Sequence, residues 1–154
     1  MENLNLPAYP FRYKIAEQRK YIFDSFRKKY VVLTPEENVR QHFAMYLVHQ
    51  LGYSQARIGL EVRISTPQLE RRSDIVVYND QFEPVMIVEC KAPSVQVSEE
   101  VFDQAVRYHM TLRAAFIAVT NGMKHYCCRL ENDGSWKFVD TFPTWEELLG
   151  RKVT

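Results

Sequence analysis

The sequence predicts an α/β fold with a central mixed β-sheet flanked by helices. Three observations point to it. Two apolar runs, Ile75-Val76-Val77-Tyr78 and Val85-Met86-Ile87-Val88, are separated by the turn-like segment 79–84 and read as a β-hairpin. Helical stretches lie before and after that hairpin. The second of them leads into Ala115–Thr120, a short, fully apolar run that suits a central strand covered on both faces. Hairpin strands pair antiparallel. A strand reached through a helix is expected to run parallel to its predecessor, through a right-handed crossover.

Taken in order, residues 1–19 contain Pro and Tyr and are expected to be extended. Tyr21–Phe26 and Lys29–Leu33 read as two short strands around a basic turn. Thr34-Pro35-Glu36 is a helix start, with Thr as N-cap and Pro in the first turn. That helix is expected to run to Leu51 and stop at Gly52. Its buried stripe is Val39, Phe43, Tyr46, Leu47 and Leu51, which recur at helical spacing. Ile58–Ile64 reads as a strand containing Glu61, and Gln68–Ser73 as a polar connection. The hairpin follows, and Pro93 ends its second strand. Ser98 is an N-cap for a helix over Glu99–Leu112. After Ala115–Thr120 come an Asn121-Gly122 turn, strands at Tyr126–Leu130 and Trp136–Val139 joined by Asn132-Asp133-Gly134, and a terminal helical turn at Thr144–Leu149.

The 154 residues suffice for one domain with a sizeable core. We read 1–154 as a single domain, its core over about 20–140 and an extended N-terminal segment over 1–19. Apolar content of 46% with 25% charge is ordinary for a globular chain. No apolar run approaches the roughly 20 residues of a membrane helix, and the N-terminus lacks a signal-peptide layout. Three cysteines, two of them adjacent, do not suggest a disulfide framework, and no Cys/His spacing resembles a zinc site. A reducing cytoplasm without membrane attachment is the expected setting. Net charge is only +1, but Arg12–Lys29 holds seven basic residues against Glu17 and Asp24, while Glu131–Glu147 is acidic. A basic N-terminal third can contact phosphates, and a solvated surface is the competing reading.

The chemistry concentrates at one end of the hairpin. Asp74 opens the first strand; Glu89 and Lys91 close the second. Side chains alternate along a strand, so Glu89 and Lys91 share a face and Cys90 points the other way. Two carboxylates beside an ammonium suit a Mg²⁺-dependent phosphodiester hydrolase. The carboxylates hold a hard cation, and the lysine positions or deprotonates a water. Glu36, near Arg40 on the first helix, can point toward the sheet. Gln104 and Tyr108 are four apart on one face of the second helix and can sit at the rim. Each has a bland counterpart: a cross-strand salt bridge for Asp74 and Lys91, a first-turn carboxylate on the helix dipole for Glu36, a boundary pair for Gln104 and Tyr108. His42, His49 and His125 read as polar surface rather than ligands.

Thr34-Pro35-Glu36-Glu37 with Val39-Arg40-Gln41, Arg72-Ser73-Asp74-Ile75-Val76-Val77-Tyr78, Val88-Glu89-Cys90-Lys91-Ala92-Pro93, Gln104 to Tyr108, and Thr120-Asn121-Gly122 resemble the N-terminal nuclease domain of type I restriction-enzyme restriction subunits. That domain belongs to the PD-(D/E)xK superfamily. The similarity spans roughly residues 20 to 130 and implies a restriction-endonuclease-like fold. It also implies Asp74, Glu89 and the Cys90 backbone carbonyl as ligands of Mg²⁺, with Mn²⁺ as substitute. Lys91 would be the catalytic lysine, and Glu36 the acidic residue supporting the metal or its waters, with Glu37 the other candidate. Gln104 and Tyr108 match a Q-x3-Y motif that helps orient the lysine and the DNA strand. DNA and other restriction-modification subunits are the implied partners. Ser73 replaces the superfamily proline. No G-x-x-x-x-G-K-[ST] occurs, so translocation-coupled cleavage by this polypeptide alone is not expected. A non-catalytic nucleic-acid-binding or complex-assembly module that retains the fold is the rival reading.

Overall fold

The structure, a computed structural model, describes residues 3–67, 69–109 and 112–150. Its elements are β1 (Tyr13–Ala16), β2 (Arg19–Asp24), β3 (Lys29–Val32), α1 (Pro35–His49), a 3₁₀ turn (Gln55–Arg57), β4 (Ile58–Thr66), β5 (Leu69–Tyr78), β6 (Pro84–Cys90), α2 (Glu99–His109), β7 (Phe116–Thr120), β8 (His125–Leu130), β9 (Trp136–Val139) and α3 (Trp145–Leu148). β4 to β9 form a six-stranded sheet in sequence order. β6 and β7 pair in parallel across the α2 connection, and the other neighbours in the sheet pair antiparallel. This is the α/β, restriction-endonuclease-like arrangement expected from the sequence. Among the described residues, no helix is long and apolar enough to cross a membrane.

α1 begins where the sequence says it should. Thr34 is the N-cap, its Oγ1 accepts from Glu37 N–H at 3.0 Å, and Pro35 occupies the first turn, where its missing N–H costs nothing. Val39, Phe43 and Leu47 pack on one face of the sheet against Ile75, Val77, Met86, Val88 and Ala118. α2 lays Phe102 and Ala105 on the opposite face, over Val119 and Cys128. Every residue of β7 is buried, as its unbroken apolar run requires. Fully buried side chains such as Phe43, Leu47, Ile75 and Met86 each contribute about 1.5–3 kcal/mol. This two-sided packing fixes the strand ends from which the candidate site projects.

Two expectations need correction. Residues 13–16 are extended as expected, but within the N-terminal segment they form a paired strand, β1, against β2. The connecting turn is Glu17-Gln18, both at positive φ (51° and 64°), a backbone usually signalled by Asn or Gly. Leu69–Ser73 is not a connection but the first half of β5, paired along β4 from Val62↔Ser73 to Thr66↔Leu69. It is polar because this part of the hairpin extends past the core, with Arg63 and Glu70 exposed and 3.1 Å apart. α2 is described over Glu99–His109, and its expected continuation toward Leu112 falls on Met110 and Thr111, outside the described residues.

The left-handed Glu17-Gln18 pair yields a stability expectation. A non-glycine residue at such φ costs on the order of 1 kcal/mol. Glu17→Asn with Gln18→Gly should therefore raise stability by roughly 1 kcal/mol. For a chain of this size that is about 2–4 °C in Tm, readable by calorimetry. An unchanged or lower Tm would mean that this turn carries no strain.

Candidate active site

Asp74 stands where two ladders are interrupted. Between β5 and β6 the last ladder pair is Ile75↔Val88, and one further step in that register sets Asp74 opposite Glu89. Instead of a backbone pair, Asp74 Oδ2 accepts the Cys90 N–H at 2.7 Å, so the carboxylate plugs the fork where the strands part. On the other side, β4 and β5 pair at Leu60↔Ile75 and Val62↔Ser73, but the intervening Glu61–Asp74 pair is missing. Glu61 lies at φ 53°, a left-handed strand residue that is not glycine. Such conformations persist only where the surroundings over-determine them, and they concentrate at functional sites.

The surroundings of Glu61 and Asp74 converge on Arg40. From α1 its Nη1 donates to Glu37 Oε1 at 2.7 Å and its Nη2 to Asp74 Oδ1 at 2.6 Å. Nη2 also lies 2.8 Å from Glu61 Oε1 and 3.2 Å from Glu36 Oε1. Arg40 is buried. Burial works against its charge, but the Asp74 hydrogen bond and the Asp74 and Glu37 carboxylates more than compensate and hold it protonated. Glu37 is buried and also accepts from Arg27 at 3.0 Å and from Gln41 at 3.1 Å. Glu36 is half-exposed and takes only the long Arg40 bond. Of the two acids, Glu37 is tied into the protein and Glu36 stands toward solvent.

Glu89 and Lys91 lie just across the fork, with Lys91 Nζ 3.5 Å from Glu89 Oε1. Cys90, between them, is buried in the α1-side core, as strand alternation demands. The Lys91 N–H donates to Thr120 O at 2.8 Å, which pins its backbone to the end of β7. Glu89 Oε2 faces Nε2 of the buried His109, 3.5 Å away at the end of α2. Gln104 Nε2 donates to the Tyr108 hydroxyl at 3.2 Å, and the Arg71 guanidinium from β5 stacks on the Tyr108 ring. The Gln104 hydrogen bond, then Arg71, lower the Tyr108 hydroxyl pKa, and the Glu89 charge opposes them. Both α2 residues are exposed at the surface.

The two carboxylates are driven apart in acidity. Burial, then the Glu89 charge, push Asp74 up to about 6, against the Arg40 and Cys90 hydrogen bonds. Burial also pushes Glu89 up, but the neighbouring His109 side chain and the Lys91 charge prevail and hold it below the usual range. The split follows from the partners: Glu89 has the Lys91 and His109 side chains beside it, while Asp74 is the more deeply buried of the two.

Two comparisons with known proteins bear on the family and the fold. A family model described as the type I restriction enzyme R protein N terminus (HSDR_N) matches residues 35–143. The chain belongs to that family. A fragment structure assigned to the HsdR subunit of a type I restriction enzyme from Vibrio vulnificus YJ016 is similar with a TM-score of 0.54 at 21% identity. The similarity covers 77% of this chain and 25% of that one, so this chain spans about a quarter of the solved fragment's length. At that identity the likeness speaks for the fold. No curated protein matches the sequence.

As an R-protein N-terminal domain, the chain places Asp74, Glu89 and Lys91 together at one fork, with Glu36 linked to it through Arg40. Gln104 and Tyr108 form a neighbouring pair on α2 rather than part of that hydrogen-bonded cluster. Sequence reasoning did not single out Arg40, Glu61, His109 or Arg71 as site residues. Arg40 follows Glu36 by one helical turn, a spacing that was available as a signal. The Glu61 backbone and the approach of His109 are tertiary and left no mark in the sequence. Of the other three histidines, two are used internally: His42 Nδ1 meets Asn38 O at 2.7 Å, and His125 joins Thr120 Oγ1 at 2.7 Å and Asn5 O at 3.0 Å. Among the described residues, no group of three His, Cys, Asp or Glu side chains stands ready as a complete metal cage.

Proposed function

We propose that this chain is a Mg²⁺-dependent DNA endonuclease domain of the restriction-subunit type. The observation that carries the reading is the Asp74–Glu89 pair at the strand fork, with the Lys91 ammonium 3.5 Å from Glu89. The donor set fits a hard cation. Mg²⁺ is commonly held by one or two carboxylates and several waters rather than by an all-protein cage. Asp74 and Glu89 would hold it, with the Cys90 carbonyl as a further oxygen and Glu36 toward its waters. Mn²⁺ would substitute. Each Asp74 oxygen already takes one donor and keeps a second lone pair for a cation. The elevated Asp74 pKa comes first from burial and second from the Glu89 charge, and a bound cation would offset both. When bound, the ion supplies charge neutralisation at the scissile phosphate and a more acidic water.

The chain's own groups do the rest. Lys91 offers a cation and proton donor beside the attacking water and the anionic phosphate. Arg40 holds Asp74 in place from the α1 side, so the carboxylate does not swing when the substrate arrives. Gln104 and Tyr108 would guide the DNA strand on the α2 side. Translocation would come from other parts of a restriction-modification assembly, which are its expected partners. A cytoplasmic setting follows from the same reading.

Metal affinity should follow the Asp74 carboxyl. A ligating carboxylate must be ionised, and Asp74 keeps its proton up to about pH 6. Calorimetric titration with Mg²⁺ or Mn²⁺ should therefore show affinity rising about tenfold per pH unit below 6 and levelling above it. The sign for folding is opposite. A carboxyl raised above its ordinary value stabilises the native state in acid and loses that contribution as pH climbs through 6. Asp74→Asn should abolish the metal heat. Equal binding by wild type and Asp74→Asn would refute the site and favour the non-catalytic module.

A further inference from the structure

Outside the family match lies a second feature, the sheet formed by β1, β2 and β3. Its register places Lys14 opposite Tyr21, Ala16 opposite Arg19, Tyr21 opposite Val32 and Phe23 opposite Tyr30. Strand alternation puts these residues on one face, together with Arg12, whose carbonyl accepts the Phe23 N–H at 2.8 Å. The opposite face packs on the protein at the buried Ile22 and Asp24, with Asp24 engaged by Arg27, while its Tyr13, Ile15, Lys20 and Lys29 are exposed. The first face is cationic. Arg12, Lys14 and Arg19 are exposed on it, and among its described strand residues there is no carboxylate.

Two of these cations, Arg12 and Lys14, are held in place. The Arg12 guanidinium lies 4.1 Å from the Phe23 ring centre, and Lys14 Nζ lies 4.5 Å from that of Tyr30 and 5.7 Å from that of Tyr21. Such contacts fix long flexible side chains without neutralising them. They also cover the aromatic faces, so unstacked bases find no open platform there. What remains available is a row of ordered positive charge suited to phosphates, on a segment with seven basic residues in a chain of net charge +1.

We propose that this outward face of β1–β3 is a sequence-independent binding surface for the phosphate backbone of duplex DNA. It would add a second anchoring point to the site at the β5–β6 fork. The proposal shares the DNA substrate of the nuclease reading but rests on different residues.

The test is fluorescence anisotropy with a labelled duplex in EDTA, across 50–200 mM salt. Metal chelation removes cleavage from the readout, so failure of the nuclease reading leaves this measurement intact. Arg12→Glu/Lys14→Glu should weaken binding at least about tenfold at low salt. It should also make the salt slope shallower by about 1.8, from two lost phosphate contacts at about 0.9 each. Arg12→Gln/Lys14→Gln should show the same slope change, and circular dichroism of both variants reports their folding. Arg129→Glu/Lys137→Glu, the same charge change placed on β8 and β9, should stay within about twofold of wild type. Wild-type binding by the folded glutamine variant would overturn the proposal. An equal loss in the β8–β9 control would do so too, because the effect would then be net charge alone. Tighter binding of a single strand to this face would contradict the commitment to duplex.

Discussion

Arg40→Ala is expected to destabilise the protein by about 3–5 kcal/mol, the usual effect of removing one partner from a buried ionic cluster. The guanidinium is buried and makes hydrogen bonds of 2.7 Å and 2.6 Å to Glu37 and Asp74, with Glu61 at 2.8 Å. Without it, carboxylates lining the fork face one another in a poorly solvated space, and the left-handed Glu61 backbone loses the contact that holds it. At a urea m-value of about 1–3 kcal/mol per M, the unfolding midpoint should fall by at least about 1 M. Arg40→Lys should give an intermediate loss, since one ammonium cannot reproduce a planar fork that spans Glu37 and Asp74. Glu37→Gln in the Arg40→Ala background should recover part of the loss by removing one stranded charge. A midpoint unchanged within about 0.3 M in Arg40→Ala would mean that the cluster is solvated and contributes little.

The second large effect is kinetic. Lys91→Ala should slow cleavage about 10²–10³-fold, the typical loss when one group stabilising transition-state charge is removed. The lysine stands beside Glu89, and its side chain is about one-third exposed. Its truncation creates no cavity and strands no buried partner, because Glu89 keeps His109. Stability should therefore change by no more than roughly 0.5–1 kcal/mol. A large loss of rate with a small change in unfolding midpoint separates a chemical role from a structural one, and Arg40 should show the converse in stability.

Much of this was legible in the sequence because the signals were local. The N-cap and proline at Thr34-Pro35 set the start of α1. The two apolar runs around residues 79–84 set the hairpin, and the period of two along β6 put Glu89 and Lys91 on one face with Cys90 in the core. What stayed hidden depended on pairings the chain does not announce. β1 was missed because its turn uses Glu17-Gln18 rather than glycine or asparagine. The first half of β5 was missed because a hairpin that leaves the core need not alternate apolar and polar residues. The hub role of Arg40 arises only when β4, β5 and α1 bring Glu61, Asp74 and Glu37 around one guanidinium. Arg71 and His109 join the neighbourhood for the same reason.

The most direct test is single-turnover cleavage of supercoiled plasmid and of single- and double-stranded oligonucleotides, with wild type and Lys91→Ala side by side in Mg²⁺, Mn²⁺ and EDTA. The expected result is cleavage by wild type with Mg²⁺ or Mn²⁺, none in EDTA, and the reduced rate given above for a Lys91→Ala protein that melts like wild type. Cleavage that persists in EDTA, equal rates for the two proteins, or no cleavage by wild type with either metal would contradict the account and leave a nuclease-like domain that binds without cutting.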